Sequence, residues 1–310
     1  PQYSSDQSTV NIPQPGFYGE PTQYTGGVIP VNGFKVGDTH AVHSKHIALG
    51  GPLTINIADS IYGPGVISGI QIVKVTGKLR IHVNDNAAGN NDGSSWTNAM
   101  TDLQDALSTA RRVGGPQAEV WVASGFYEPT TGTDRSATFD IPSGLEFYGG
   151  FNGTETLLSQ RLYPLGNGTY LSGAIGGSAQ TDNSYVVVTL NNVDSNTLVD
   201  GFYIVRGYNN GGGLYSGHGA GLTAFYAIGP QIRNCDFASN ISSSDGGAVY
   251  LYESSVQIVN STFYNNEATN GAGGAISNTG PITTTLTLQN SRFLGNSSMA
   301  GGAVYLNYTY

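Results

Sequence analysis

The C-terminal third of the chain alternates apolar and polar residues inside a longer repeat. The motif GGAVYL occurs at Gly246 and again at Gly301, and related motifs begin at Gly219 and Gly273, so that successive copies lie 27, 27 and 28 residues apart. The fourth position is always aliphatic and the fifth is not: Leu222 and Thr223, Val249 and Tyr250, Ile276 and Ser277, Val304 and Tyr305. Such alternation is typical of a β-strand with one buried face.

A second motif, Asn-x-x-Phe-x-x-Asn, falls between the glycine motifs. Its three copies are NCDFASN, NSTFYNN and NSRFLGN, and aliphatic residues precede each copy at alternate positions. The copies supply nine repeated residues: Asn234, Phe237, Asn240, Asn260, Phe263, Asn266, Asn290, Phe293 and Asn296. Two motifs that share one period indicate a solenoid, in which each unit buries its apolar face against its neighbours.

The residue types favour one kind of solenoid. No window of the repeats sustains the apolar spacing of three and four that helical solenoids require. We therefore predict an all-β fold, a right-handed parallel β-helix whose coils lie about 4.8 Å apart. In such a fold the three Asn-flanked phenylalanines stack inside, and the repeated asparagines form ladders between coils. The glycine pairs form the turns: Gly246 and Gly247, Gly273 and Gly274, Gly301 and Gly302.

A single amphipathic helix is predicted near residues 98–112. Met100, Leu103, Leu107 and Ala110 have helical spacing, and we expect Thr97 or Asn98 as the cap, with acidic residues at the start, basic residues at the end and a glycine just beyond. Such a helix would cover the otherwise open first coil. We assign residues 78–310 to the β-helix and residues 1–77 to a β-rich arm or small domain, because that segment alternates strand-like pieces with Gly and Pro turns.

Composition narrows the classes of partner. The chain has 310 residues, 45 glycines, 19 tyrosines, 11% charged residues and a net charge of −9. It has no basic run to neutralise a phosphate backbone and no apolar stretch near 20 residues, so we expect neither nucleic-acid binding nor a membrane span. Cys235 is the single cysteine, which excludes an intrachain disulfide, and we expect it at a buried corner. The chain begins at Pro1, as a processed, exported protein or a fragment would.

A resemblance to known proteins covers roughly Lys78 to the C-terminus. The runs IHVNDNAAGNNDGSSWTNAMTDLQDALSTARR, EVWVASGFYEPT and LEFYGGFNGTE resemble the opening of bacterial secreted right-handed β-helix proteins of the pectate-lyase-like superfamily. The GGAV and NSTFYNN blocks are similar to repeats of polymorphic outer-membrane-type adhesins. The resemblance implies a secreted or surface location, but the superfamily includes lyases, hydrolases, adhesins and structural proteins.

Catalytic sites of that superfamily find little support. The tripeptide Gly217-His218-Gly219 resembles one near the catalytic carboxylates of polygalacturonases, yet the D-D pair and the R-x-K motif of those enzymes are missing. A glycosidase needs two carboxyl groups flanking the bond, and no spacing pairs the acidic residues nearby: Asp200, Asp236, Asp245 and Glu253. A lyase needs a basic residue as proton acceptor. After Arg161 the chain offers Arg206, Arg233 and Arg292, and we expect the last two to be solvent exposed.

Three further patterns were weighed as binding sites. His40, His43 and His46 could ligate a metal on a helix, but on a strand His43 faces away from the other two. Asn84-Asp85-Asn86 and Asn90-Asn91-Asp92-Gly93 resemble calcium loops in letters, and a turn is favoured instead. Outward tyrosines could line a sugar-binding face or a protein interface: Tyr250, Tyr252 and Tyr305. We expect no metal and no cofactor.

The sequence thus predicts a non-catalytic, extracellular or cell-surface protein with a structural or adhesive role. The final GGAVYLNYTY leaves a coil whose strand edges need a cover, which raises the hypothesis of head-to-tail filaments, the N-terminal arm of one subunit covering the last coil of the next. A surface glycan or protein ligand is the other expected partner. The alternative function is a polysaccharide-binding or polysaccharide-degrading β-helix, either lyase or hydrolase.

Overall fold

The chain divides into two compact units, Pro1–Gly77 and Lys78–Tyr310. In the computed structural model, the first unit is described for four strands, Ser8–Ile12, Lys35–Gly37, His40–Val42 and Leu53–Ile57. The second is described over residues 77–309, except 162–167, 178, 212–216 and 282. Ser8–Ile12 pairs in parallel with Leu53–Ile57, and Lys35–Gly37 pairs antiparallel with His40–Val42. Whether residues 1–77 form an arm or a small domain stays a prediction.

The second unit is a parallel β-solenoid of about six turns with one α-helix, which confirms the predicted solenoid fold. Its strands form four sheets. Sheet I contains Leu79–Val83, Ala118–Ala123, Glu146–Phe151, Leu198–Asp200, Ile228–Arg233, Ser255–Val259 and Leu286–Gln289. Sheet II contains Gly125–Tyr127, Thr169–Ser172, Tyr203–Val205, Asp236–Ala238, Thr262–Tyr264 and Arg292–Leu294.

The other two sheets complete each turn. Sheet III contains Phe139–Asp140, Val188–Asn191, Leu222–Phe225, Val249–Tyr252, Ile276–Pro281 and Val304–Thr309. Sheet IV contains Tyr208–Asn209, Ile241–Ser242, Glu267–Ala272 and Ser297–Ala300. Three short 3₁₀ helices lie in the connections: Gly115–Gln117, Leu158–Gln160 and Gln180–Asp182.

The core is built from residues that occupy the same position in successive turns. In sheet II, Phe237 pairs in register with Phe263, and Phe263 with Phe293. Their ring centroids are 4.7 and 5.0 Å apart and the rings are nearly parallel, at 3° and 8°. Phe237 and Phe263 are completely buried. Because parallel pairing fixes the register, each aromatic ring meets another ring in the next turn and its edge is enclosed by the other sheets.

The α-helix runs from Leu103 to Val113 and packs against the first strands of sheets I and III, with Leu103, Ala106, Leu107, Ala110 and Val113 buried. Asp102 is the N-cap, since its side chain accepts a hydrogen bond from the Gln104 amide at 2.7 Å. Gly114 ends the helix with a φ of 87°.

The predicted start of the helix near residue 98, with a Thr97 or Asn98 cap, was wrong. The Met100 N–H donates to the His82 carbonyl at 2.9 Å, and the Met100 carbonyl accepts from the Asn84 N–H. Met100 is therefore bridged to the first strand of sheet I. Asn98 uses its carbonyl to accept from the N–H groups of the 92–93 turn. These tertiary bonds hold residues 98–100 out of the helix, although their apolar spacing is helical.

The stacked rings give a direct stability test. Phe263→Ala should lower the free energy of unfolding by about 3 to 5 kcal/mol, because it removes a buried ring and leaves a cavity between two others. Phe126→Ala is the matched control, since Phe126 also stacks on a neighbour, Tyr170 at 4.4 Å, but is 65% exposed. Denaturant unfolding measures both variants. Equal losses would show that the inner stack is not the core.

Candidate functional site

The repeated asparagines occupy two different positions. Asn240, Asn266 and Asn296 form a ladder. The Asn240 Nδ2 donates to the Asn266 Oδ1 at 3.0 Å, and the Asn266 Nδ2 donates to the Asn296 Oδ1 at 2.9 Å. Each amide also donates to a backbone carbonyl of the preceding turn, that of Phe237 in the case of Asn266. Asn240 and Asn266 are completely buried, so these bonds satisfy amides that would otherwise lie unpaired in the interior.

The other three asparagines lie at the corner between sheets I and II. Asn234, Asn260 and Asn290 have left-handed backbones, with φ of 53°, 52° and 49°, a conformation that Asn tolerates better than most residues. Their amides are less closely linked, since the Asn260 Nδ2 lies 3.5 Å from the Asn234 Oδ1. These residues turn the backbone, whereas the buried ladder connects the turns.

The paired glycines are required for two distinct reasons. The first of each pair has a positive φ: Gly246 at 67°, Gly273 at 70° and Gly301 at 62°. The second allows close approach of the next turn, because a Cβ at Gly247 would lie 2.2 Å from the Gly274 carbonyl oxygen, and one at Gly274 would lie 2.4 Å from the Gly302 oxygen. At Gly302 the nearest atom would be 3.5 Å away.

Alanine at the second glycine position therefore tests the close approach. Gly274→Ala should cost about 1 to 3 kcal/mol of unfolding free energy, because the Cβ forces two turns apart. Gly302→Ala, the same change one turn later, should be nearly neutral. Thermal or denaturant unfolding of the two variants decides, and a Gly302→Ala loss as large as that of Gly274→Ala would contradict this explanation.

A polar depression lies at the corner of sheets I and II, beside a loop that follows Phe151. The loop is held by Glu155, whose carboxylate accepts hydrogen bonds from the backbone N–H groups of Asn152, Gly153 and Thr154 at 2.7 to 3.1 Å. Trp96 donates through its indole nitrogen to the Glu155 carbonyl.

The same loop covers apolar side chains on the outer face of sheet I. Trp121, Tyr148, Phe151 and Leu198 form a small cluster there, against which Trp96 and Leu158 pack. Trp121 and Tyr148 alternate along their strands with core residues, so the cluster lies outside the solenoid interior. This packing positions Arg161 at the end of the loop.

Asp200 organises the charges at this corner. Its Oδ2 accepts from the Arg161 Nη2 at 3.0 Å and from the Arg233 Nε at 2.9 Å, and its Oδ1 accepts from the Asn234 Nδ2 at 2.8 Å. Its side chain is 1% exposed. The expectation that Arg233 is simply solvent exposed was wrong, because this ion pair ties its guanidinium to a buried carboxylate. Arg161 also lies over the Tyr148 ring, 5.2 Å from its centroid.

The depression beside this ion pair has a volume of about 480 Å³. It is lined by Leu158, Ser159, Arg161, Asn234, Asp236, Asn260 and Thr262. Burial raises the pKa of Asp236, and hydrogen bonds from Thr262 oppose that rise. Asp236 is the one carboxyl group in this lining, and the nearby Asp200 is held between two guanidinium groups. The site can therefore hydrogen-bond a polar ligand, but it does not present the two free carboxyl groups that glycoside hydrolysis needs.

The raised pKa of Asp236 predicts a pH dependence of stability. A carboxyl whose pKa is higher in the folded than in the unfolded chain contributes most to stability below the unfolded value, about 3.9, and this contribution is lost as pH rises through the folded value. The stability of the wild type relative to Asp236→Asn should therefore fall as pH rises from about 3.5 toward neutrality.

Asp134→Asn is the control for this trend, because hydrogen bonds from Ser136 lower the pKa of Asp134. The wild type should gain stability relative to that variant as pH rises over the acidic range. Denaturant titrations at several pH values measure both trends, and parallel trends for the two variants would refute the assignment.

His218 lies in a second polar cluster, with a serine and an aspartate in an order that resembles a catalytic triad. Its Nε2 is 3.5 Å from the Ser244 Oγ, and its Nδ1 is 3.6 Å from an Asp245 carboxylate oxygen. The Asp245 backbone N–H, however, donates to the Nδ1 at 3.3 Å. Burial lowers the pKa of His218, and Asp245 opposes that effect. A neutral ring that accepts at Nδ1 carries its proton on Nε2, so it cannot deprotonate Ser244.

The predicted sugar-binding tyrosines are not equally available. Tyr250 is 7% exposed and lies against His218, with ring centroids 4.5 Å apart, so its proposed place on an open face was wrong. Tyr252 contacts Phe225 and Tyr226, whereas Tyr305 is half-buried.

The sequence analysis missed an outward aromatic stack on sheet II. It contains Phe126, Tyr170 and Tyr203, with centroids 4.4 and 4.7 Å apart. These rings face one another and present their edges to solvent. The spacings of 44 and 33 residues between them hid the stack, because the early turns are irregular in length.

The remaining candidates form turns or lie outside the described residues. The Asn86 N–H donates to the Asn84 Oδ1, and the Ser94 N–H donates to the Asp92 Oδ1, as in Asx turns. His43 and His46 fall outside the part of the chain that the structure describes, so the histidine motif stays untested. Within that part, no group of three or more His, Cys, Asp or Glu side chains could hold a metal ion.

The chain has no match among protein-family models, curated proteins or solved structures. Among the described residues, none of the helices has the length and apolar character needed to cross a bilayer.

Proposed function

We propose that this chain is a non-catalytic structural or adhesive protein of a bacterial surface or the extracellular space. The observation that carries the proposal is where the repeated side chains are used. The buried amides of Asn240 and Asn266 bond to neighbouring turns, and the rings of Phe237 and Phe263 stack on one another. The residues that recur from turn to turn therefore serve rigidity along the axis, which suits a stalk, fibre or scaffold better than a catalytic cleft.

Two finer assignments belong to the same proposal. The solenoid is right-handed, which is supported by the strong preference of parallel strand connections for that hand. The protein is related to the pectate-lyase-like superfamily and to adhesin repeats, which is supported by the parallel solenoid, the helix over its first strands and the glycine and asparagine motifs.

Self-association head to tail is the proposed mode of assembly. Core residues of the last described turn are less covered than their equivalents: Leu251 is completely buried, but Leu306, two turns later in the same column, is 48% exposed. Met299 of that turn is 77% exposed. Apolar surface of this kind favours contact with another chain, and a heterologous contact repeats into a filament.

Polysaccharide binding is the second candidate function. The corner depression favours it, because guanidinium, amide, hydroxyl and carboxyl groups converge there and such groups pair well with sugar hydroxyls. A panel of acidic and neutral glycans tests this candidate. We expect no new reducing ends and no unsaturated products, and their appearance would establish the alternative, degradative function.

The assembly proposal predicts concentration-dependent filaments of the full chain in electron micrographs and in sedimentation velocity. Leu306→Lys should shift the chain toward monomers, because it places a charge on the exposed apolar surface. Leu157→Lys is the matched control, since Leu157 is 60% exposed on the loop beside sheet I, and it should leave assembly unchanged. A wild-type chain that stays monomeric at all concentrations would overturn self-association.

A further inference from the structure

The outermost strand of sheet III, Val304–Thr309, offers a free edge with a defined pattern. It pairs with Ile276–Pro281 on one side, in the register Ile276 to Val304 and Thr279 to Asn307, and among the described residues no strand pairs with its other side. Val304 and Leu306 occupy inward columns of the sheet, whereas Tyr305 and Asn307 occupy outward columns. A strand that extends this sheet must therefore place aliphatic residues first and third.

The strand Leu53–Ile57 of the first unit carries that pattern. Its residues Leu-Thr-Ile-Asn match Leu-Thr-Ala-Phe of Leu222–Phe225 and Val-Tyr-Leu-Asn at the start of Val304–Thr309, with aliphatic residues at the first and third positions. A shift by one residue would bring Thr54 and Asn56 over the inward columns, so the pattern specifies one register.

The same strand already pairs in the manner of the solenoid. It runs parallel to Ser8–Ile12, with Thr54 opposite Thr9, Ile55 opposite Val10 and Asn56 opposite Asn11. Like residues therefore face like residues, as they do between successive turns of the second unit, whereas the other strand pair of the first unit is antiparallel. A parallel pair with this register forms two ready-made layers for a parallel sheet.

We propose that Leu53–Ile57 of a second copy adds in parallel to Val304–Thr309, with Leu53 opposite Val304 and Asn56 opposite Asn307. This inference rests on the proposed self-association and names its strands and register. Addition would continue the aliphatic column through Leu306, Ile55 and Val10, and would align Asn307 with Asn56 and Asn11. The main-chain bonds of the added strand supply affinity, and the alternating residues supply specificity.

Disulfide cross-linking between copies tests the register. Four single variants are mixed in pairs under mild oxidation: Asn56→Cys or Thr54→Cys with Asn307→Cys or Tyr305→Cys. Directly opposed residues of neighbouring strands lie about 5 Å apart and suit a disulfide, whereas a two-residue offset exceeds about 7 Å. The pairs 56 with 307 and 54 with 305 should therefore give about tenfold more covalent dimer than 56 with 305 or 54 with 307.

The wild-type chain is the background control. Cys235 is completely buried, and burial raises the pKa of its thiol to about 12, so it should form no dimer. Asn56→Cys and Asn307→Cys combined in one chain should give a series of covalent oligomers. Circular dichroism checks that each variant is folded, and the two in-register pairs provide independent readings.

The outcomes separate this inference from the function on which it rests. Filaments that form without preferential in-register linkage overturn the proposed strand and register but leave self-association intact. Linkage of residues 56 and 307 within one chain, at a yield independent of concentration, also overturns it. A chain that remains monomeric by sedimentation overturns both.

Discussion

Parallel hydrogen bonding between successive turns, about 4.8 Å apart, is the constraint on which the rest of the second unit depends. It brings one position of each turn directly over the same position of the turn before. A residue is then judged mainly by how well it meets its own kind: rings stack, amides bond to amides, and aliphatic residues fill continuous columns. Glycine occurs where backbones of adjacent turns approach most closely, as at Gly247 and Gly274.

The sequence was most informative where the turns are regular. The period near 27 residues predicted the solenoid, and the Asn-flanked blocks brought Phe237, Phe263 and Phe293 into one column. The same blocks could not show that their first and last asparagines differ in role. That difference depends on which residue turns the backbone at the corner, where Asn234 has a positive φ, and which amide points inward, as in Asn240.

Contacts between irregular segments could not be predicted from spacing. Arg161 and Asp200 are 39 residues apart and meet because the loop from Asn152 to Arg161 packs on Trp121 and Tyr148. The helix start was missed for a similar reason, since the backbone bonds of Met100 are made to a strand. Periodic patterns report repeated neighbours, and these contacts occur only once in the chain.

The side chains of the ladder also explain why polar residues are abundant in this protein without implying chemistry. A buried amide that bonds to the turns on either side is fully satisfied and leaves no group free for a ligand. The polar residues that remain accessible gather at the corner depression, where Asp200 and its two arginines provide a fixed charge arrangement. Stability and any recognition thus depend on different sets of polar side chains.

A double-mutant cycle on Asn240 and Asn266 tests the central claim, that like side chains stabilise the fold through contacts between turns. Unfolding free energies of Asn240→Ala, Asn266→Ala and the double variant give the coupling between the two amides. We predict a coupling of about 1 kcal/mol or more, because each single change leaves the other amide without its partner. Losses that add to within about 0.3 kcal/mol would contradict the account.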